Sequence, residues 1–375
     1  MNGGKLHFLW RDHAPLKQFR TGVSLHSHTL HSMETFAFLP RYAAGVPLLD
    51  FAVRQQARIY KTRRGMELDF SRAFWRPPLA PREAYDLEKG QIEDKLDLDA
   101  MVSLSDHDDI QAGSLLATVE PKIPISVEWT IPYGPSFFHV GVHNLPAKRA
   151  GTIMQELAAF TQNPRPQRIG ELLGMLHGVP ETLAVFNHPM WDEARIGAVQ
   201  HARLAGEFLE RFGQYLHALE LNGLRPWKEN RQVIAMAERS GHVVISGGDR
   251  HGLEPNANVN LTNAGTFAEF VAEIREDHFS DILFLPQYRE PIRLRMIETM
   301  WDIVREYPEF PIGRRAWNER IFYCAPGGVT RALAEIWRVE PWPVRWFLAG
   351  LRAMKSHQVR SALRMALAEA PEAGL

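Results

Sequence analysis

"VSLHSHTLHSME", residues Val23 to Glu34, sets three imidazoles within six residues behind a short apolar lead. If Gly22 to His28 is a strand, its two-residue alternation puts His26 and His28 on one face, about 7 Å apart along the chain. Two neutral imidazoles facing one way can grip one metal ion, whereas His31 falls outside the alternation. A paired HxH is equally compatible with surface hydrogen bonding. A metal reading therefore needs more imidazoles and carboxylates from the rest of the chain.

Seven apolar runs stop abruptly in polar residues: "GVSLHSH", "DAMVSLSDHDD", "IPISVEWT", "FFHVGVHN", "LAVFNHP", "ALELNG" and "HVVISGGDRHG". Helical patterns such as "REAYDLEKGQIEDKL", "PQRIGELLGMLHG" and "ENRQVIAMAERSG" lie between several of them. The alternation predicts an α/β fold with a mostly parallel sheet, and seven such units predict a closed or distorted (βα) barrel with its chemistry at the strand ends.

The residues at those ends are metal-capable. His26 and His28 end the first run, Asp106, His107, Asp108 and Asp109 the second, and Glu128 the third. His139 lies in the fourth, His188 ends the fifth, and Asp249 with His251 ends the seventh. Helix capping or turn formation explains one or two such residues. It must be invoked afresh at every strand, whereas one metal cluster explains all of them. Imidazole mixed with carboxylate suits zinc, manganese or iron. The single cysteine, Cys324, excludes a cysteine-zinc knot. Six or more ligands exceed the needs of one tetrahedral ion, so the pattern predicts two or three metals, with Glu128 as the candidate bridge.

The chain has 375 residues, enough for one large α/β domain and an appendage. A formal charge of -1 and a pI near 7.0 argue against general electrostatic adhesion to nucleic acid or membranes. One thiol forms no intrachain disulfide, and the polar start lacks a signal-peptide core, so cytoplasmic residence is the expectation.

In their order along residues 20 to 255, "LHSHT", "LSDHDD", "FNHP" and "SGGDRH" resemble the four motifs of the PHP (polymerase and histidinol phosphatase) superfamily. "ISVEWT" and "FFHVGVH" are similar to its intervening glutamate and histidine segments. The resemblance implies a distorted seven-stranded (βα) barrel, a trinuclear metal centre and phosphoester hydrolysis. Carried over by position, it implies His26, His28, Glu128 and Asp249 on one metal, and Glu128, His139 and His188 on a second. His107 and His251 would hold a third. That ion's remaining ligand falls in "LHSME", where many members have Asp; Glu34 is the choice and His31 the alternative. Arg250 stands where a small residue is common. Its guanidinium either holds a substrate phosphate beside the metals or turns away into solvent or an ion pair.

The implied activity is that of a metal-dependent phosphoesterase (a phosphoric ester hydrolase) acting on a small phosphomonoester or nucleotide. Hydroxide held between the metals would attack phosphorus in line. Glu128, Asp249 and Arg250 are the catalytic candidates. A nuclease or exonuclease on the same scaffold, an amidohydrolase and a non-catalytic metal-stabilised binding module are the alternatives.

Two regions depart from a minimal barrel spanning residues 1–275: an insertion at about 35–80 and a helix-rich extension over 276–375. In the insertion, "GVPLLDFAVRQQARIYKTRRG" predicts one helix opened by Pro47 and closed by Gly65. Leu49, Val53 and Tyr60 would face the body. Arg54, Arg58 and Lys61 would fall within about 60° of one another, with Arg64 just beyond, as candidate substrate-binding cations or a plain solvated face. In the extension, "GGVTRALAEIWRV" and "VRWFLAGLRAMKSHQVRSALRMALAEA" read as helices and "PWPVRW" as a rigid connector. The helices would pack on the barrel or make a homo-oligomer. No stable membrane association is expected, with an interfacial helix as the lesser reading. The expected partner is a small phosphorylated substrate, with nucleic acid as the alternative.

Overall fold

A computed structural model describes residues 4–367 apart from 38, 45, 46, 311, 312, 326, 338 and 355; within helices, the side chains of residues 41–43, 47–49, 52, 64 and 357 also fall outside the described set. The strands in chain order are β1 Leu6–Phe8, β2 Thr21–Leu25, β3 Glu34–Thr35, β4 Ala73–Trp75, β5 Asp99–Ser103, β6 Ile125–Tyr133 and β7 Ser136–Leu145. They continue with β8 Leu183–Asn187, β9 Ala218–Asn222, β10 Val243–Gly247, β11 Asn258–Thr262, β12 Asp281–Phe284, β13 Ile321–Cys324 and β14 Thr330–Ala332. Each of the seven apolar runs forms a strand, and the helices Pro81–Leu96, Arg168–His177 and Trp227–Ser240 lie where the periodicity places them. Gly241 closes the last of these in the left-handed conformation, φ 75°, that glycine adopts without a Cβ penalty.

The fold is mixed α/β, and among the described residues the strands form two five-stranded sheets and one of four. One large sheet runs β1-β12-β11-β2-β5 and the other β10-β9-β8-β7-β6. The expected mostly parallel arrangement is corrected here. Pairs β2–β5, β1–β12, β8–β9 and β9–β10 are parallel, but β6–β7, β7–β8, β2–β11 and β11–β12 are antiparallel. The cause is local at β6–β7, where Gly134 at φ 59° turns the chain straight back into a hairpin.

Among the described residues the named ladders do not close into one barrel. The two large sheets meet at seams, through isolated parallel bridges Ser27–Arg250 and His107–Glu128. Backbone bonds reinforce both seams: Asp249 N to His26 O at 2.7 Å, His28 N to Arg250 O at 2.9 Å, and Glu128 N to Asp106 O at 3.0 Å. The seams join the strand ends that carry the candidate ligands.

The core lies between these sheets and the surrounding helices. Trp129, Phe160, Phe186 and Phe208 are among its largest fully buried side chains, each worth about 1.5–3 kcal/mol or more of transfer free energy. Trp129 meets Phe160 edge-on with ring centroids 5.5 Å apart.

The four-stranded sheet, β14-β13-β4-β3, joins the insertion to the extension. Trp75 pairs with both Glu34 and Ile321. Strand β12 belongs to the first large sheet, so that sheet continues past residue 276, and "GGVTRALAEIWRV" yields strand β14 before a short helix Leu333–Ile336. The helix Trp342–Met354 begins inside "PWPVRW", with Pro343 in its first turn, where a missing N–H costs nothing. The insertion helix spans Pro47–Arg64 and Gly65 follows at φ 70°. Val53 and Tyr60 are half-buried, with the Tyr60 ring 5.8 Å from that of Tyr323; the Leu49 and Arg64 side chains lie outside the described residues.

Candidate metal centre

Three of the expected ligands sit where the chain leaves its strand in left-handed backbone: His26 at φ 63°, His188 at φ 28° and Asp249 at φ 55°. Such conformations in non-glycine residues cost of order 1–3 kcal/mol each and persist where the surroundings over-determine them. At His26 and Asp249 the seam does so, with Asp249 N donating to His26 O.

The carboxylate of Glu128 is the hub. Its Oε2 lies 2.9 Å from His26 Nε2 and 3.3 Å from both His28 Nε2 and His107 Nδ1. Its Oε1 lies 3.1 Å from His188 Nε2 and 3.7 Å from His139 Nδ1, and accepts a 2.9 Å bond from Asn187 Nδ2. Asp249 Oδ1 lies 3.4 Å from His28 Nε2 and His251 Nδ1, and 3.7 Å from His26 Nε2. Glu34 Oε2 is 3.3 Å from His107 Nε2, and its Oε1 is 3.2 Å from His251 Nε2. His31 is not brought into these groups; its backbone N–H donates to Thr29 Oγ1.

Four ligand groups result, each with its ligand atoms within 4.8 Å of one another. They are His28, Glu34, His107 and His251; His26, Glu128 and His188; His26, His28 and Asp249; and His107, Glu128 and His139. Every expected metal ligand is in at least one.

Hydrogen bonding sets the imidazole tautomers. His26 Nδ1 donates to Glu220 at 3.0 Å, and His251 Nδ1 donates to the Asp249 carbonyl at 2.8 Å. Ser32 Oγ donates to Glu34 Oε1 at 2.6 Å and so accepts from His28 Nδ1 at 3.2 Å and from the His107 backbone at 3.1 Å. In its neutral form each of the three rings thereby turns its Nε2 lone pair to the cluster, as a metal ligand must. Among the described residues His26 Nε2, His28 Nε2 and Glu128 Oε2 are buried without a hydrogen-bond partner. Three converging orphaned atoms of this kind are costly unless a cation meets them, so the residues fit a metal.

The electrostatics agree. Burial pushes the Glu128 carboxyl up, yet His26, His107 and His139 hold it well below the usual carboxylate range. Burial likewise opposes ionisation of Glu34, but His107 and His251 keep it well below that range. Against burial, which lowers it, Glu128 and Glu220 raise His26 well above the ordinary imidazole value.

Several residues of the site were not foreseen. Glu220 lies inside "ALELNG", an acid on the inner face of an otherwise apolar strand, and reaches His26 because Gly247 faces it; a Cβ there would fall 2.3 Å from Glu220 Oε1. Arg225, almost fully buried, donates from Nη2 to Asp249 Oδ2 at 3.2 Å, and its guanidinium carbon lies 3.4 Å from the Trp191 ring centroid. Its Nε has no hydrogen-bond partner among the described residues. Trp191 in turn meets His188 edge-on at 5.0 Å. Glu193 is pushed up to about 7 by burial, against the pull of His107 and His188.

Arg250, expected as a catalytic or substrate-binding group, is corrected. It is buried with Nε donating to Glu88 Oε1 at 2.8 Å, Nη1 to Gly252 O at 2.9 Å and Nη2 to His28 O at 2.9 Å. A buried guanidinium must be paired, and Glu88 from the helix Pro81–Leu96 supplies the charge. It braces the HxH turn from behind. The stripe of the insertion helix is exposed as expected, but Arg54 pairs with Asp50 at 2.8 Å and Lys61 with Glu67, so two of its three candidate cations already answer acids. Asp106 fixes Thr29 through both carboxylate oxygens, Asp108 accepts from the Thr130 backbone at 2.9 Å, and Asp109 caps the next helix at the Gln111 N–H.

No family model and no curated protein matches the chain. Among solved structures it is similar to PsfC from Pseudomonas syringae, at 16% identity over 60% of this chain and 88% of that one, with a TM-score of 0.35. An amidohydrolase from Chromobacterium violaceum with bound sulfate and no metal gives 14%, 47%, 83% and 0.34 in the same terms. A protein from Bifidobacterium adolescentis, provisionally named a metal-dependent phosphoesterase, gives 16%, 53%, 91% and 0.31. At these values the likenesses assign no activity to the chain.

Proposed function

We propose that the chain is a metal-dependent phosphoesterase of the PHP type, holding two or three divalent transition-metal ions. In this reading the two seams draw the seven motif-bearing strands into the distorted (βα) barrel that the motifs imply. The observation that carries it is the convergence of His26 Nε2, His28 Nε2 and Glu128 Oε2, buried and unpartnered, with six further ligands around them.

When bound, the ions would supply Lewis acidity at the phosphoryl oxygens and acidify water toward neutral pH. The protein's part is to hold and orient. Glu128 and Asp249 gather imidazoles from both sheets, and Glu220, Ser32 and the Asp249 carbonyl fix which ring nitrogen each presents. Arg225, clamped between Asp249 and Trp191, offers an uncommitted Nε–H as the positive group for a substrate phosphate, the role that Arg250 cannot fill. With Arg54 and Lys61 already paired, support for a polynucleotide path along the insertion helix is weak, and a small phosphomonoester or nucleotide is favoured.

Metal analysis of the purified chain, followed by a panel of phosphomonoesters, nucleotides, phosphodiesters and amides before and after chelation, tests the reading. Two or more ions per chain and chelator-sensitive release of phosphate are expected. Full activity after metal removal, or amide hydrolysis without phosphate release, overturns it.

A further inference from the structure

The helix Trp342–Met354 is docked by one side and bare on the other. Leu351 is buried, and the helix packs against the helix Ile292–Val304. At 100° per residue, Trp342, Arg345, Trp346, Ala349, Arg352 and Ala353 share a face about 120° wide opposite Leu351, and all six are exposed. The tryptophans are 60% and 73% exposed, far more than a large apolar ring tolerates without a partner.

Charge selects the partner. From Pro341 to Ala366 the chain carries Arg345, Arg352, Lys355, Arg360 and Arg364 and no acid. Arg360 and Arg364 are committed inward, to Glu298 and Glu290, and pin the following helix, His357–Ala366, to the body. Arg345 and Arg352 pair with no acid among the described residues and flank the tryptophans.

We infer that this face docks, lying flat, on an anionic lipid surface. Tryptophan beside arginine suits the headgroup boundary, where the ring is half in the apolar phase and the cation meets lipid phosphate. A second copy is disfavoured, since a two-fold contact would oppose like charges with no acid between them. A nucleic-acid strand is disfavoured because the face continues past the two rings in Ala349 and Ala353, which offer bases no hydrogen bonds. Two cations and two rings make the attachment reversible, in keeping with a chain that has no membrane-spanning helix among its described residues.

The test uses the full chain with vesicles of mixed phosphatidylserine and phosphatidylcholine against phosphatidylcholine alone. Co-sedimentation with the anionic vesicles only, with a blue shift in tryptophan emission, is expected. At about fivefold per cation near such a surface, Arg345→Gln with Arg352→Gln should weaken partitioning roughly 25-fold. Trp342→Ser with Trp346→Ser should abolish it, with metal content and circular dichroism unchanged. The inference is overturned by failure of the wild-type chain to bind, or by binding that neither pair alters. It is also overturned by a dimer that Trp346→Ser dissociates, or by retention of single-stranded RNA in place of vesicles.

Discussion

The molecule buries two kinds of histidine. At the strand ends His26 and His28 are sequestered with Nε2 unpartnered, whereas His217, on the far side of β8 and β9, has both ring nitrogens engaged: Nδ1 accepts the Ala184 N–H at 2.9 Å and Nε2 meets His177 at 3.0 Å. His143 is similarly quiet, buried with Nδ1 at Ser103 Oγ, 2.8 Å away. Burial alone therefore does not mark a ligand. What separates the groups is carboxylate company and an unanswered lone pair. Burial lowers His217 to about 3, with Arg275 and His177 adding to the effect, while Glu128 and Glu220 raise His26 despite its deeper burial.

The largest effect that would break this contrast is at the hub. Glu128→Gln removes the charge shared by five imidazoles and should reduce metal content and hydrolysis well beyond the roughly 10–100-fold typical of outer partners; an unaltered metal count would end the bridging assignment. Acid separates the two kinds next. The folded value of His217 is depressed, so its contribution is complete above its ordinary 6.5 and disappears as pH falls toward about 3. By about pH 4 that amounts to ~3 kcal/mol, and urea unfolding of His217→Asn should show a flatter acid limb than wild type. In chelated protein His26 and His107 run the other way, their raised values making stability fall as pH rises past them.

Glu220→Ala sharpens the contrast at a single ring by freeing the His26 tautomer. Metal affinity should weaken by about 10–100-fold in calorimetric titration, with the fold intact. Glu34→Gln should remove one ion and His31→Ala none; the reverse result in metal counting would exchange their places. Last and smallest, replacing Arg54, Arg58 and Lys61 by Gln should change kcat/KM for nucleotides less than about twofold at any salt, because two of the three already answer acids.

Much of the candidate centre is legible in sequence because most of its ligands end an apolar run; His139 lies within one and Glu34 ends none. Glu220 escapes that rule by lying within its run, although its spacing two before Asn222 puts both on one face. Glu88 was hidden the same way, an acid within the buried stripe Ala84, Tyr85, Gln91 and Ile92 of a helix that otherwise looks solvated. The four-stranded sheet has no local signature. Its strands are two to four residues long, and β4 finds β13 only across most of the chain. The antiparallel pairs were legible at Tyr133–Ser136, where the loop is too short for a crossover helix.

That small sheet has a consequence for how the chain could have been assembled or can be cut. Glu34 stands in a two-residue strand whose ladder among the described residues is to β4, where it faces Trp75, and β4 in turn leans on β13. Strands β3 and β4 and the distant β13 and β14 thus stand as one unit built from two segments, since a lone pair of short strands is marginal in water. Deleting β13 and β14 alone would leave a bare edge at β4, and deleting β4 would take the ladder from Glu34, loosening it in the His28, Glu34, His107 and His251 group. A lineage or an engineer must take both or neither.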